Sequence, residues 1–147
     1  MVLKNYILIK KNKISYILKK KTKNGLKKSI VFLCGYRSDK NGKKADFIEK
    51  LRKDYGFVYL RFDYSGHGDS SGDINNLCIS DWVNESKVLI ETKTNYPVVL
   101  IGSSMGGWIA FYLSLIIKKK LLGIVGIASA FDFTSRILKN LSTIEYK

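Results

Sequence analysis

Proline is almost missing from this 147-residue chain, with Pro97 the only one, so proline-rich linkers and polyproline segments are excluded. Histidine is as scarce, at one residue (His67), and there are two cysteines, Cys34 and Cys78. Two cysteines make no disulfide framework, and no His/Cys/carboxylate cluster has metal-ligand spacing. No metal and no organic cofactor is therefore implied. Thiols in so small a number fit a reducing compartment, which makes the cytoplasm the expected location. No apolar run approaches the roughly 18 residues that cross a bilayer, so no membrane span is expected. Residues 1–13 hold neither an uninterrupted apolar stretch nor a small-residue cleavage site, which argues against a secretory signal.

Arginine is also rare. The net charge is +14, yet only Arg37, Arg52, Arg61 and Arg136 among the 26 basic residues are arginine. Surfaces that read nucleic acid use arginine for bidentate contacts and interleave aromatics for stacking. Lysine accompanied by abundant Asn and Ile reads instead as a solvated surface, and no specific nucleic-acid partner is expected. The alternative is a lysine-rich module that binds nucleic acid or anionic surfaces.

What is present is enough for a core. The chain is 46% hydrophobic and 26% charged, and its length suits one domain spanning residues 1–147. Residues 6–9 and 14–18 read as two strands joined by a turn at 11–13, an N-terminal β-hairpin. Residues 29–33 read as a buried strand, and 41–54 carry Ala45, Phe47, Ile48 and Leu51 at helical spacing. Gly56 closes that helix, and 57–62 form the next strand. The stretch 63–72 is made of turn residues, so Asp63 and Asp69, with Asp73 just beyond, read as turn and surface positions. Residues 79–94 predict an amphipathic helix with Trp82, Val83, Val88 and Leu89 on its apolar side. A strand opens at Pro97, an apolar helix covers 108–117, and 121–128 form a last buried strand. Residues 131–147 read as partly helical. Strand–helix repeats with near-continuous apolar strands predict an α/β fold, a mostly parallel sheet with helices on both faces.

The organising stretch is Val98-Val99-Leu100-Ile101-Gly102-Ser103-Ser104-Met105-Gly106-Gly107-Trp108. An apolar strand runs into Gly-x-Ser-x-Gly and then into a helix, the sequence form of a nucleophile elbow. Ser104 would occupy a sparsely allowed backbone conformation that lifts its hydroxyl above the sheet. Gly102 and Gly106 flank it because a Cβ at either place would meet the sharply turned chain. The helix that follows, starting near Gly106, aims its first N–H groups at the serine and favours a negative oxygen there.

With Gly35-Tyr36, Arg61-Phe62-Asp63-Tyr64-Ser65-Gly66-His67-Gly68 and the elbow together, the chain resembles an α/β-hydrolase. It is similar to bacterial relatives of the mitochondrial acyl-protein thioesterase and acyl-glucuronide esterase branch. The resemblance covers nearly all of this chain but only the N-terminal part of such an enzyme. It makes Ser104 the nucleophile and the backbone N–H groups of Met105 and Tyr36 the oxyanion hole. It implies a small acyl ester or thioester as substrate. In that fold the acid and the histidine follow the serine along the chain. No histidine follows Ser104 here, so the expectation is a C-terminally truncated hydrolase, incomplete or inactive as this chain. A separately encoded C-terminal fragment is a candidate partner, and a non-catalytic remnant is the rival reading. His67 reads as a turn feature rather than the base, and Asp132 as a cap for the segment after it. Cys34 reads as a buried small residue, and Trp108 and Phe111 as packing the elbow helix on the sheet.

Overall fold

The computed structural model describes residues 5–132 and 135. The chain opens with β1 (Asn5–Ile9) and β2 (Asn12–Lys19), then alternates between strand and helix. β3 (Ser29–Leu33), α1 (Lys43–Tyr55), β4 (Val58–Phe62), a short 3-10 turn (Ile74–Asn76) and α2 (Ile79–Lys93) come first. β5 (Val98–Ser103), α3 (Met105–Ile116) and β6 (Leu121–Ile127) follow. The strands form one sheet in the order β1-β2-β4-β3-β5-β6. β1, β2 and β4 pair antiparallel, while β4, β3, β5 and β6 pair parallel, giving the expected mostly parallel sheet with an N-terminal hairpin.

The hairpin turn falls at Lys10-Lys11, one residue earlier than the lysine and asparagine pattern suggested. Ile9 pairs with Asn12, and Lys10 takes φ 52°, the left-handed start that a two-residue hairpin needs to match strand twist. α1 stops at Gly56, which adopts φ 65° and donates its N–H to the Arg52 carbonyl at 2.7 Å.

Successive side chains of β4 alternate between faces. Tyr59 reaches the Ala45 carbonyl and Arg61 reaches Glu49, both on α1, so α1 covers that face. The crossover from β3 to β4 moves one way along the sheet, and those from β4 to β5 and β5 to β6 move the other. Right-handed crossovers that reverse direction place their helices on opposite faces, which puts α2 and α3 together on the second one. A contiguous core includes Val31, Leu33, Leu60, Leu100, Ile109 and Leu113. Coverage fails at β6, where Leu122, Ile124 and Val125 are all exposed.

Candidate active site

The reversal of winding lies between β3 and β5, which are direct neighbours. Chain leaving β3 turns toward one face and chain leaving β5 toward the other, so a crevice opens beyond their carboxyl ends. Open α/β sheets bind ligands at such a switch point. Ser104 stands there, one residue past β5, with φ 53° and ψ −119°. A non-glycine residue in that region costs on the order of 1–3 kcal/mol and persists only when its surroundings fix it. Here its N–H donates to the Ile127 carbonyl at 3.0 Å, and its own carbonyl accepts from Gly107 at 2.9 Å and Ala130 at 3.1 Å.

The flanking glycines are required by space. A Cβ on Gly102 would lie 2.3 Å from the Gly106 oxygen, and one on Gly106 would lie 2.1 Å from the Leu33 oxygen. The elbow is thus wedged against the end of β3. Met105 is the first residue of α3, so its N–H has no intrahelical acceptor and points back toward the serine. From the other side, Gly35 approaches Ser104 so closely that a Cβ there would stand 3.4 Å from the serine Cβ and 3.9 Å from Oγ. The loop after β3 closes as a tight turn, with Ser38 donating to the Gly35 carbonyl at 3.1 Å and Arg37 at φ 54°. Tyr36 sits in this turn, directly after the glycine that faces Ser104.

Beside the elbow lies a groove of about 1000 Å³ between α2 and α3. Tyr36, Leu77, Trp82, Val83, Trp108 and Tyr112 supply much of its wall. Trp108 is half-buried and lines this groove, and Phe111 is 48% exposed beside Phe131. The expectation that both pack α3 against the sheet is corrected. α3 is apolar on every side, so its sequence could not show which face meets the sheet.

The family described as serine aminopeptidase S33 matches residues 25–145. The chain belongs to this family of α/β-hydrolases. Bovine mitochondrial palmitoyl-protein thioesterase ABHD10 is 38% identical over 108 residues, which is 74% of this chain and 35% of that protein. The structure of mouse alpha/beta hydrolase domain-containing protein 10 superimposes with a TM-score of 0.86 at 27% identity, covering 97% of this chain and 56% of the other. Est1E from Butyrivibrio proteoclasticus, solved with ferulic acid, shares the fold at TM-score 0.72 and 17% identity, covering 82% of this chain and 50% of that one. This chain spans about a third of the length of the curated relatives it matches.

In this member of the S33 family the single histidine is not hydrogen-bonded to Ser104. His67 is buried, and its Nδ1 lies 3.1 Å from the Ser65 carbonyl, which can only accept, so Nδ1 carries the proton. Its Nε2 is buried without a hydrogen-bond partner. Rings of Tyr36, Tyr64 and Trp82 box the imidazole at 5.9, 5.6 and 5.1 Å, all edge to face. Burial pushes its pKa below the ordinary histidine value, against the pull of the Ser65 carbonyl and Asp63. Neither nitrogen reaches Ser104. Cys34 is buried as expected, and burial raises its thiol pKa well above the usual range, which leaves it unreactive.

Two aspartates expected at the surface behave differently. Asp73 is exposed and caps the 3-10 turn. Asp63 is fully buried, a correction to the surface reading, and pairs with Lys40, itself only 2% exposed. Lys40 Nζ lies 2.7 Å from both Asp63 and Asp69, the latter with its side chain one-third exposed. This buried ion cluster had no local signature, since its members are 23 and 29 residues apart. Asp132 accepts a bond from the Ser135 hydroxyl at 2.8 Å, and the segment it was expected to cap lies outside the described residues. The rest of residues 133–147, expected to be partly helical, lies outside the described residues. Among the described residues no group of three or more His, Cys, Asp or Glu is placed to hold a metal. None of the described helices is long and apolar enough to cross a membrane.

Proposed function

We propose that this chain carries the nucleophile half of a serine hydrolase that acts on acyl esters or thioesters. The observation that carries the reading is Ser104 held at φ 53° on an elbow wedged between β3 and α3, with Gly35 facing its hydroxyl. In this reading Oγ attacks the acyl carbonyl, and the oxygen that gains charge is held by the main-chain N–H groups of Tyr36 and Met105. The carbonyl then reforms as the alcohol or thiol leaves, and water releases the acid.

The groove between α2 and α3 supports an acyl chain as the substrate's apolar part. Its volume of about 1000 Å³ lies at the top of the ~300–1,000 Å³ range typical of small-molecule sites. It borders Tyr36 on one side and Trp108, one turn beyond Ser104, on the other. The bovine relative is named as a palmitoyl-protein thioesterase, which favours a fatty acyl thioester over a short polar ester.

The general base is proposed to be a histidine outside these 147 residues, in the same polypeptide or a second one, oriented by a carboxylate from the same part. His67 is the only histidine in the sequence; its Nδ1 is bonded to the Ser65 carbonyl and its Nε2 has no hydrogen-bond partner, so neither nitrogen is bonded to Ser104. Loss of a triad base costs several orders of magnitude while an oxyanion hole leaves residual catalysis. The 147-residue chain is therefore expected to hydrolyse p-nitrophenyl octanoate slowly or not at all. Imidazole added as an exogenous base should accelerate release in the wild type beyond its effect on Ser104→Ala. Equal stimulation of both proteins would refute Ser104 as the nucleophile. Rapid Ser104-dependent turnover without imidazole would refute an external base.

A further inference from the structure

We propose that Lys40 is a positioning residue for the oxyanion loop, fixing the main-chain N–H of Tyr36 relative to Ser104 through a buried bridge to Asp63 and Asp69. The inference rests on the reading of that N–H as an oxyanion donor. Lys40 ends the loop that begins at Gly35, four residues beyond Tyr36. Its ammonium lies 2.7 Å from Asp63 Oδ2 and 2.7 Å from Asp69 Oδ2. Its backbone N–H donates to Asp63 Oδ1 at 2.5 Å, and its carbonyl accepts from Arg61 Nη1 at 3.3 Å. Every polar group of this residue is thus tied to β4 or the loop after it. Asp63 is held in turn by the backbone N–H of Asp69 at 2.8 Å.

A buried ammonium between carboxylates is poorly explained as a stability device. Desolvating the ions consumes most of the attraction, and apolar replacements of similar volume are often no less stable. What the bridge does supply is a fixed distance. The oxyanion loop is held near β3 by the Gly35–Ser38 turn, by the Tyr64 hydroxyl on the Cys34 carbonyl and by the Tyr36 ring against His67 and Trp82, while Lys40 holds its far end, before α1 starts at Lys43. If that far end moved, the turn that carries the Tyr36 amide would shift with it, and a misplacement of about 1 Å can cost on the order of a hundredfold in rate. The other donor, Met105, is fixed by α3 and the elbow and does not depend on Lys40. The bridge should therefore affect one half of the oxyanion hole and not the other.

The test is to titrate the 15N-labelled 147-residue chain with phenylboronic acid. Boron adds to Ser104 Oγ with release of its proton, forming a tetrahedral anion whose oxygen sits where the oxyanion would. In the wild type the amide resonances of both Tyr36 and Met105 should shift, and in Ser104→Ala neither should. In Lys40→Met the boronate affinity should fall about tenfold or more, below the 10²–10³ of losing a donor outright. The Tyr36 response should shrink while that of Met105 persists. Asp69→Asn keeps the Asp63 contact and should give an intermediate loss, which preserves the test if Lys40→Met does not fold. Wild-type affinity with both amide responses intact in these variants would overturn the proposal. Equal weakening of the Tyr36 and Met105 responses would also overturn it, since that marks general loosening. If wild type and Ser104→Ala respond alike, the nucleophile reading fails and the positioning role falls with it.

Discussion

Replacing Gly106 by alanine is expected to damage the fold and the site together. The new Cβ would stand 2.1 Å from the Leu33 carbonyl oxygen and 2.7 Å from that of Cys34. Carbon and carbonyl oxygen normally approach no closer than about 3.3 Å. More than an ångström of separation must therefore open between the start of α3 and the end of β3. Overpacking typically costs about 1–3 kcal/mol where side chains can give way. The opposing atoms here are main chain, so a loss of about 3 kcal/mol or more is expected. Gly102→Ala should behave similarly, its Cβ lying 2.3 Å from the Gly106 oxygen. Gly123→Ala on β6 is the control, because a Cβ there meets nothing within 4 Å. It should change stability by no more than about 0.5 kcal/mol. Gly35→Ala should leave stability near wild type yet slow reaction at Ser104, since its Cβ would stand 3.9 Å from Oγ. Urea unfolding followed by tryptophan fluorescence gives the midpoints, with an unchanged slope required for the comparison. A Gly106→Ala midpoint equal to that of Gly123→Ala would refute the wedged elbow.

Asp63→Ala leaves a buried lysine without its inner partner and should cost about 3–5 kcal/mol, measurable as a fall in urea midpoint. His67 has a lower pKa folded than unfolded, so the unfolded chain binds the proton more readily. Its contribution is present above the unfolded value near 6.5 and is lost as pH falls from there through the folded value, so the midpoint of His67→Gln should vary less over that window. Duplex DNA binding should be weak, indifferent to sequence and lost with modest salt, as anisotropy titrations would show. The exposed Leu122, Ile124 and Val125 on β6 should drive concentration-dependent association in sedimentation velocity, which Ile124→Lys should reduce.

Features fixed by neighbours in sequence were legible. β3 was read at residues 29–33 and α2 to within one residue of its end, because apolar continuity and helical spacing are local signals. The elbow was legible for the same reason, since strand, glycines and serine are consecutive. Features fixed across the fold were not. The stretch 63–72 has the composition of a surface turn, yet Asp63 is buried because Lys40 arrives from another loop. Nothing near His67 announces the aromatic box, whose walls come from Tyr36, Tyr64 and Trp82. The elbow pattern put the start of α3 near Gly106 and it begins at Met105, while apolar spacing alone showed it only from residue 108, because its first turn contains the two glycines that the elbow needs.

The central claim is that Ser104 is the residue that takes the acyl group. An alkyl fluorophosphonate forms a covalent bond to such a serine with loss of fluoride and is not hydrolysed off. Intact-mass and peptide mass spectrometry of the 147-residue chain should show one adduct, on Ser104, formed slowly because neither nitrogen of His67 reaches the hydroxyl, and absent in Ser104→Ala. No adduct after prolonged exposure, an adduct elsewhere, or labelling that survives Ser104→Ala would contradict the account.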